Sequence, residues 1–221
     1  MQNLVRSKTI PIFHFTTTRH TNMDEVGIDP HKLVAAEQIH SHKVAKVTSK
    51  DLGKIIPQID ALMTHEEKVP LVVRTADCLP IFIYDPKKKA IALIHAGWRG
   101  SVLRIAPRTI EKMEEFFRSD PKKLLIYFGP SIGPFCYEVD KNVIHSLDET
   151  FSNWKDFARQ ITKEKYMLDL RKMNASQLYE CGVRPEHIEI SPYCTACRTD
   201  LFFSYRKEGP GTGRIFSVIS L

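Results

Sequence analysis

Apolar and polar positions alternate along the chain in short bursts, separated by Pro, Gly and charged turns. From about Ile10 to Thr17, IPIFHFTT is rich in β-forming residues and predicts a strand. DPHKLVAAEQ follows with Asp29 as a candidate N-cap and Pro30 at the first helical position, which predicts a short helix. IHSHKVAKVTS alternates again, so Ile39, Ser41 and Lys43 face one way and His40, His42 and Val44 the other. Two strongly apolar runs, CLPIFIYD and AIALIHA, flank a turn at Pro86-Lys87 and predict a hairpin. VLRIAPRTIEKMEEFFRS, from about Ser101, has helical periodicity, with Pro107 kinking or restarting the helix.

KKLLIYFGPSIGPFCYEV reads as a buried strand running into a Gly-Pro loop. NVIHSLDETFSNWKDFARQI and DLRKMNASQLYECGV carry helical periodicity, the second stopped by Gly182. The last segment reads as short strands, with GPGTG at 209–213 as a hairpin turn between Tyr205 and Ile215. No internal repeat or low-complexity linker interrupts the 221 residues, and a single α+β domain spanning 1–221 is the economical prediction.

Composition narrows the function classes. The chain is 43% apolar and carries 32 Lys and Arg against 26 Asp and Glu, a net charge of +6. Anionic partners suit that balance, but the longest run of like charge is Lys87-Lys88-Lys89, in the predicted turn, so no nucleic-acid partner is expected. No apolar run approaches the roughly 18 residues a membrane span needs. MQNLVRSKTIPIF lacks the apolar core of a secretory signal, and five cysteines then read as reduced thiols in a cytoplasmic protein. Cys136 and Cys181 are expected in the core. Cys194-x-x-Cys197 is a lone pair and reads as reduced structural thiols.

The hairpin raises the question of chemistry. A turn centred between Pro86 and Lys87 sets Cys78 directly across from His95, with Cβ atoms about 5 Å apart on one face of the sheet. Both then reach one metal ion. A catalytic zinc takes three protein ligands and keeps an open position, and one Cys with two His is an attested set. His40 is the choice for the third ligand and His42, on the same face, the reserve. HAGWRG passes from a buried strand into a helix through Gly97 and Gly100, leaving backbone N–H groups and Arg99 at a helix start that favours an anion such as phosphate.

EQIHSHKV, DALMT, PLVVRTADCLPIFIYD, IALIHAGWRG, FGPSIGPFCYEV, LDLRKMNASQL, CTACRTDLFFSYRKEG and GRIFSVI together resemble the laccase-domain family. That family was once called multicopper polyphenol oxidases and is now regarded as purine nucleoside phosphorylases. The resemblance covers most of 37–221. It implies a four-layer α/β/β/α sandwich of mixed β-sheets, a fold also seen in a deamidating toxin domain that works with a Cys and His pair. It also implies a metal on His40, Cys78 and His95, zinc with copper as the alternative. The implied activity joins purine nucleoside and phosphate as co-substrates, with adenosine deamination beside it. After TTR the family commonly has a glycine pair where this chain has HTNM, which leaves open that loop's conformation and any role of Arg19 in binding substrate.

Within that reading, zinc on two neutral imidazoles and one thiolate keeps a net charge of +1 and acts as a Lewis acid. Arg99 and the helix start from Gly97 are the phosphate candidates, with Arg206 behind them. Asp77 either protonates a leaving base or caps a turn. A metal-free hydrolase with Cys78 as nucleophile and His95 as base is a rival that leaves His40 idle. Copper oxidation of phenols is another, but His40-Ser41-His42 is the only His-x-His in the chain. A non-enzymatic anion-binding module is the third.

Overall fold

The computed structural model describes residues 3–221. Its strands are β1 (Leu4–Val5), β2 (Phe13–Thr17), β3 (Val34–Ala36), β4 (Val44–Lys46), β5 (Ile55–Ile56), β6 (Ala61–Thr64), β7 (Leu71–Thr75) and β8 (Leu79–Asp85). They continue with β9 (Ala90–Ala96), β10 (Leu125–Phe128), β11 (Glu138–Asp140), β12 (Ala158–Gln160), β13 (Lys165–Leu168), β14 (Ile188–Ile190) and β15 (Ile215–Ser220). The helices are α1 (Trp98–Val102), α2 (Ile105–Phe117), α3 (Lys141–Thr150), α4 (Leu170–Glu180) and α5 (Tyr205–Glu208).

Two six-stranded sheets form, in the orders β1-β2-β15-β7-β3-β5 and β14-β10-β8-β9-β6-β4, with a small sheet β11-β13-β12 to one side. Both large sheets are mixed: β3 runs parallel to β7, and β4 parallel to β6, while most other pairs are antiparallel. The sheets stack because β7 and β3 present Leu71, Val73 and Val34 on the face opposed to Leu62, Phe82, Ile91 and Leu93 of the second sheet. The other face of the second sheet carries Ile81, Ile83, Ala92 and Ile94 onto Ile110 and Met113 of α2 and Leu178 of α4. Each Leu, Ile or Phe buried there contributes about 1.5–3 kcal/mol relative to exposure. Val26, Ile28 and Leu33, from a segment holding two 3-10 turns, cover the outer face of the first sheet against Phe15, Val72 and Val218. The predicted α+β class with stacked mixed sheets holds; this outermost layer is made of turns.

Several local expectations change. DPHKLVAAEQ is not a helix: Asp29 caps one 3-10 turn, Pro30–Lys32, and the chain then enters β3 because Val34 and Ala36 are drawn into the sheet between β7 and β5. Pro107 does not break the helix; the break lies at Arg104, φ +62°, and Pro107 sits in the first turn of α2, where no intrahelical N–H is lost. GPGTG joins α5 to β15 and is no hairpin turn. Gly182, φ +87°, ends α4 as expected.

The hairpin pairs with a different register. Leu79 faces Ala96 and Pro80 faces His95, so the centre of symmetry lies between Lys87 and Lys88. Asp85 causes the shift: its Oδ1 accepts the amides of Lys87 and Lys88, and Lys89 turns left-handed at φ +47°, which moves the turn one residue along. Cys78 and His95 are therefore diagonal neighbours, two residues apart in register and still on one face.

Candidate functional site

Strand direction gathers the site. In the second sheet β4, β6 and β8 run one way and β9 the other, so the start of β4 and β8 and the end of β9 share one edge. The chain crosses from the first sheet to the second three times at that edge, through residues 37–43, 57–60 and 76–78. His40 lies on the first crossing, Asp60 on the second, Cys78 on the third, and His95 one residue before the end of β9. Their ligand atoms all lie within 4.8 Å of one another. Cys78 Sγ is 4.0 Å from His40 Nε2, and the His40 and His95 rings meet edge to face at 4.8 Å between centroids.

His40 is not on a strand as the alternation implied. Its φ is +60°, an uncommon conformation for a side chain of that size, and Asp60 holds it there. Asp60, completely buried just before β6, accepts the amides of Ile39 at 3.3 Å, His40 at 3.0 Å and Ser41 at 2.7 Å, and the Ser41 hydroxyl at 2.8 Å. The same carboxylate accepts a hydrogen bond from the His95 Nδ1–H at 2.7 Å. One buried anion thus shapes the His40 loop and fixes the His95 tautomer, leaving His95 Nε2 free for a metal. Burial works against the Asp60 charge, but the His95 ring and the Ser41 donors hold its carboxyl below the usual range.

Burial likewise opposes charge on Cys78 and His95, yet each stabilises the other. His95 pulls the Cys78 thiol below its ordinary range with help from His40, and Cys78 with Asp60 pushes His95 above its own. An anionic sulfur and two imidazoles, one oriented by a carboxylate, form a donor set suited to zinc. His42, the reserve ligand, does not join; its Nδ1 is buried without a hydrogen-bond partner.

A Cβ on Gly97 would fall 2.9 Å from His40 Cδ2 and 3.1 Å from Cys78 Sγ. Gly97 therefore serves the site by absence of a side chain. Gly100 packs against the Ser41 carbonyl, where a Cβ would lie 2.9 Å from the oxygen, and does not line the cleft; its expected place beside phosphate is corrected to a close backbone approach.

His40, Cys78 and His95 line a cleft of about 880 Å³. Arg74, Arg99, Arg206 and Arg214 line it too, with Glu37, Trp98, Tyr137 and Tyr205. Arg99 stacks on Trp98 at 4.5 Å and Arg206 on Tyr137 at 5.4 Å, which orients both guanidiniums. Asp77, φ +88°, accepts the Thr195 hydroxyl on Oδ1 at 2.6 Å, and the Ser204 hydroxyl at 3.0 Å and the Arg206 amide at 2.7 Å on Oδ2. With both oxygens engaged it ties the Arg206 segment to the cleft, which supports the turn-capping role over proton donation. Arg19 is elsewhere: it pairs with Glu208 at 2.8 Å and stacks on Phe203.

Residues 14–221 match the family described as multi-copper polyphenol oxidoreductase laccase. The chain belongs to this laccase-domain family. Purine nucleoside phosphorylase YlmD of Bacillus subtilis is 34% identical over 205 residues, 90% of this chain and 74% of the relative. A purine nucleoside phosphorylase of Bacteroides thetaiotaomicron is 34% identical over 210 residues, 90% of this chain and 77% of that protein. The crystal structure of YlmD from Geobacillus stearothermophilus superposes with a TM-score of 0.93 at 29% identity, covering 99% of this chain and 96% of that one. Among the described residues of this laccase-domain chain, no helix is long and apolar enough to cross a membrane.

Asp60, Arg74 and Arg214 are the laccase-domain residues that sequence reasoning missed. Asp60 had one available signal: an acid opening the apolar strand of IDALMT. Cys136, expected in the core, is half-buried and stands 3.2 Å from Cys197 by their sulfurs, because the turn closed by its amide on the Gly133 carbonyl brings it to the surface. Gly97→Ala is expected to lower the affinity of the cluster for a metal ion by about 10-fold or more, since the added methyl forces His40 or Cys78 from its position. Competition with a chromogenic chelator measures this; unchanged affinity would remove Gly97 from the site.

Proposed function

We propose that the chain is a zinc-dependent purine nucleoside phosphorylase. It takes adenosine, inosine or methylthioadenosine with phosphate to the free base and the sugar 1-phosphate, with adenosine deamination as a side activity. The carrying observation is the convergence of His40, Cys78 and His95 on one wall of an arginine-lined cleft. Its volume of about 880 Å³ suits a nucleoside and phosphate together, and the names of the relatives point the same way. Zinc held by the three ligands would supply Lewis-acid polarisation of a substrate oxygen.

The remaining chemistry is electrostatic positioning. Arg99 and Arg206, held by their aromatic partners, grip the phosphate dianion, and Arg74 and Arg214 add to the field. A phosphate oxygen attacks C1′ while the bond from C1′ to the purine nitrogen breaks; its electron pair leaves with the base, which takes up a proton. Trp98, Tyr137 and Tyr205 offer faces for the purine. Asp77 is a positioning residue, acting through the Arg206 backbone.

Arg206→Ala is expected to raise KM for phosphate about 10- to 100-fold, the loss of one or two charge-assisted hydrogen bonds, with a smaller change in KM for nucleoside. Equal effects on both substrates would remove Arg206 from the phosphate site. The test of the function itself is base release from adenosine with and without phosphate. Phosphate-dependent adenine is the expected product; release without phosphate, or none at all, would overturn the reading.

The Cys78 and His95 pair, with Asp60 behind it, also supports a hydrolase that uses Cys78 as nucleophile. Chelator separates the two: the phosphorylase loses its activity and regains it with zinc, whereas a thiol hydrolase keeps its activity.

A further inference from the structure

Away from the cleft's ligands, Cys136, Cys194 and Cys197 bring their sulfurs within 4.8 Å of one another. Two chain segments far apart in sequence meet there. The Ser131–Cys136 turn lies beside the Cys194–Cys197 loop, joined by a parallel bridge between Ser131 and Cys194 and by the Thr195 amide on the Ser131 carbonyl at 3.1 Å. The Gly133 amide donates to Cys194 Sγ at 3.1 Å, and a Cβ on Gly133 would fall 3.3 Å from that sulfur, so a glycine permits the approach. Half-buried Arg171 spans the junction, donating to the carbonyls of Ser131, Ser191 and Tyr193 and to the Ser131 hydroxyl, and places a fixed positive charge near Cys194.

We propose that Cys136, Cys194 and Cys197 form a second metal site, which binds zinc through three thiolates with water at the fourth corner. Two thiolates on a tetrahedral zinc, each about 2.3 Å from it, lie about 3.8 Å apart. The three sulfurs bracket that separation, from 3.2 Å between Cys136 and Cys197 up to the 4.8 Å limit. A disulfide would need about 2.05 Å. The donors are all soft sulfur, which selects zinc or monovalent copper over magnesium, calcium or manganese. Cys-x-x-Cys is a zinc spacing that lacked a partner in sequence, and Cys136 supplies it. An amide N–H donor to a ligand sulfur is the outer support such sites use. Cys197 is exposed, which leaves the open corner to solvent.

The site has a structural consequence for the cleft. Cys136 precedes Tyr137, and the Cys197 segment leads to Tyr205 and Arg206, so the metal staples together two segments that form one wall. The inference depends on none of the cleft's chemistry and stands or falls separately from the phosphorylase reading.

Cobalt(II) titration of the reduced, metal-stripped 221-residue chain is the test. The wild type is expected to take two equivalents, and Cys197→Ser and Cys78→Ala one each. The near-ultraviolet thiolate-to-cobalt absorption should fall far more in Cys197→Ser, which loses a three-sulfur site, than in Cys78→Ala. Zinc should displace the cobalt at both sites; displacement only by monovalent copper would overturn the assignment to zinc. Cys197 is exposed, so its serine variant keeps the packed core, and Cys136→Ser provides a second reading of the same site. One equivalent in the wild type that Cys197→Ser retains, two in Cys197→Ser, or a Cys136–Cys197 disulfide in peptide maps of the protein as purified would each overturn the proposal.

Discussion

Cys78→Ala is expected to lower phosphate-dependent base release by about 10³-fold or more. A catalytic metal stabilises the developing charge by several kcal/mol, and each 1.36 kcal/mol is tenfold in rate. Cys78 provides the only sulfur of its cluster and the only anionic ligand beside two neutral imidazoles, so its loss removes the metal and not merely one contact. The fold should survive, because Cys78 is half-buried at the entry to β8 and the core of that strand begins with Leu79. Steady-state phosphorolysis beside circular dichroism of the same sample checks this. Full turnover by a folded Cys78→Ala variant would detach the cluster from the reaction.

Asp60→Asn is the second large effect. The carboxylate has only donors around it: three amides, a hydroxyl and the His95 ring. An amide side chain must turn its NH2 group toward some of them, which leaves buried donors unsatisfied and frees the His40 loop from its left-handed turn. Loss of one outer carboxylate typically costs 10- to 100-fold in metal affinity or activity. Zinc affinity and turnover are expected to fall together within that range, with partial recovery of turnover at high zinc. Turnover that falls while zinc affinity stays intact would place Asp60 in the chemistry and not behind the metal.

Much of this was legible in the chain because its strongest signals are local. CLPIFIYD and AIALIHA are long apolar runs around one turn, and they pair as their pattern predicts. The register slipped because Asp85 folds its carboxylate over the turn and Lys89 goes left-handed, choices that hydrophobicity does not record. His40 was identifiable by type, and the residues around it alternate like a strand. What bends them away from β structure is Asp60, twenty residues on, whose bonds run to backbone amides that every sequence possesses. Nothing in the sequence sets Arg74 and Arg214 apart from the chain's other cations; it is the stacking of the sheets that brings them into one cleft. The Cys136 partnership was the least visible, because 61 residues separate it from Cys197 and only the folded Ser131–Cys194 bridge closes that distance.

The central claim is that three side chains, two from crossings between the sheets and one from the end of β9, hold one zinc required for turnover. Anomalous scattering at the zinc edge, from crystals of protein shown to be active, measures it directly. The account predicts a peak within about 2.0–2.3 Å of an imidazole nitrogen of His40, an imidazole nitrogen of His95 and Sγ of Cys78. No peak at that position in crystals of fully active enzyme would contradict it.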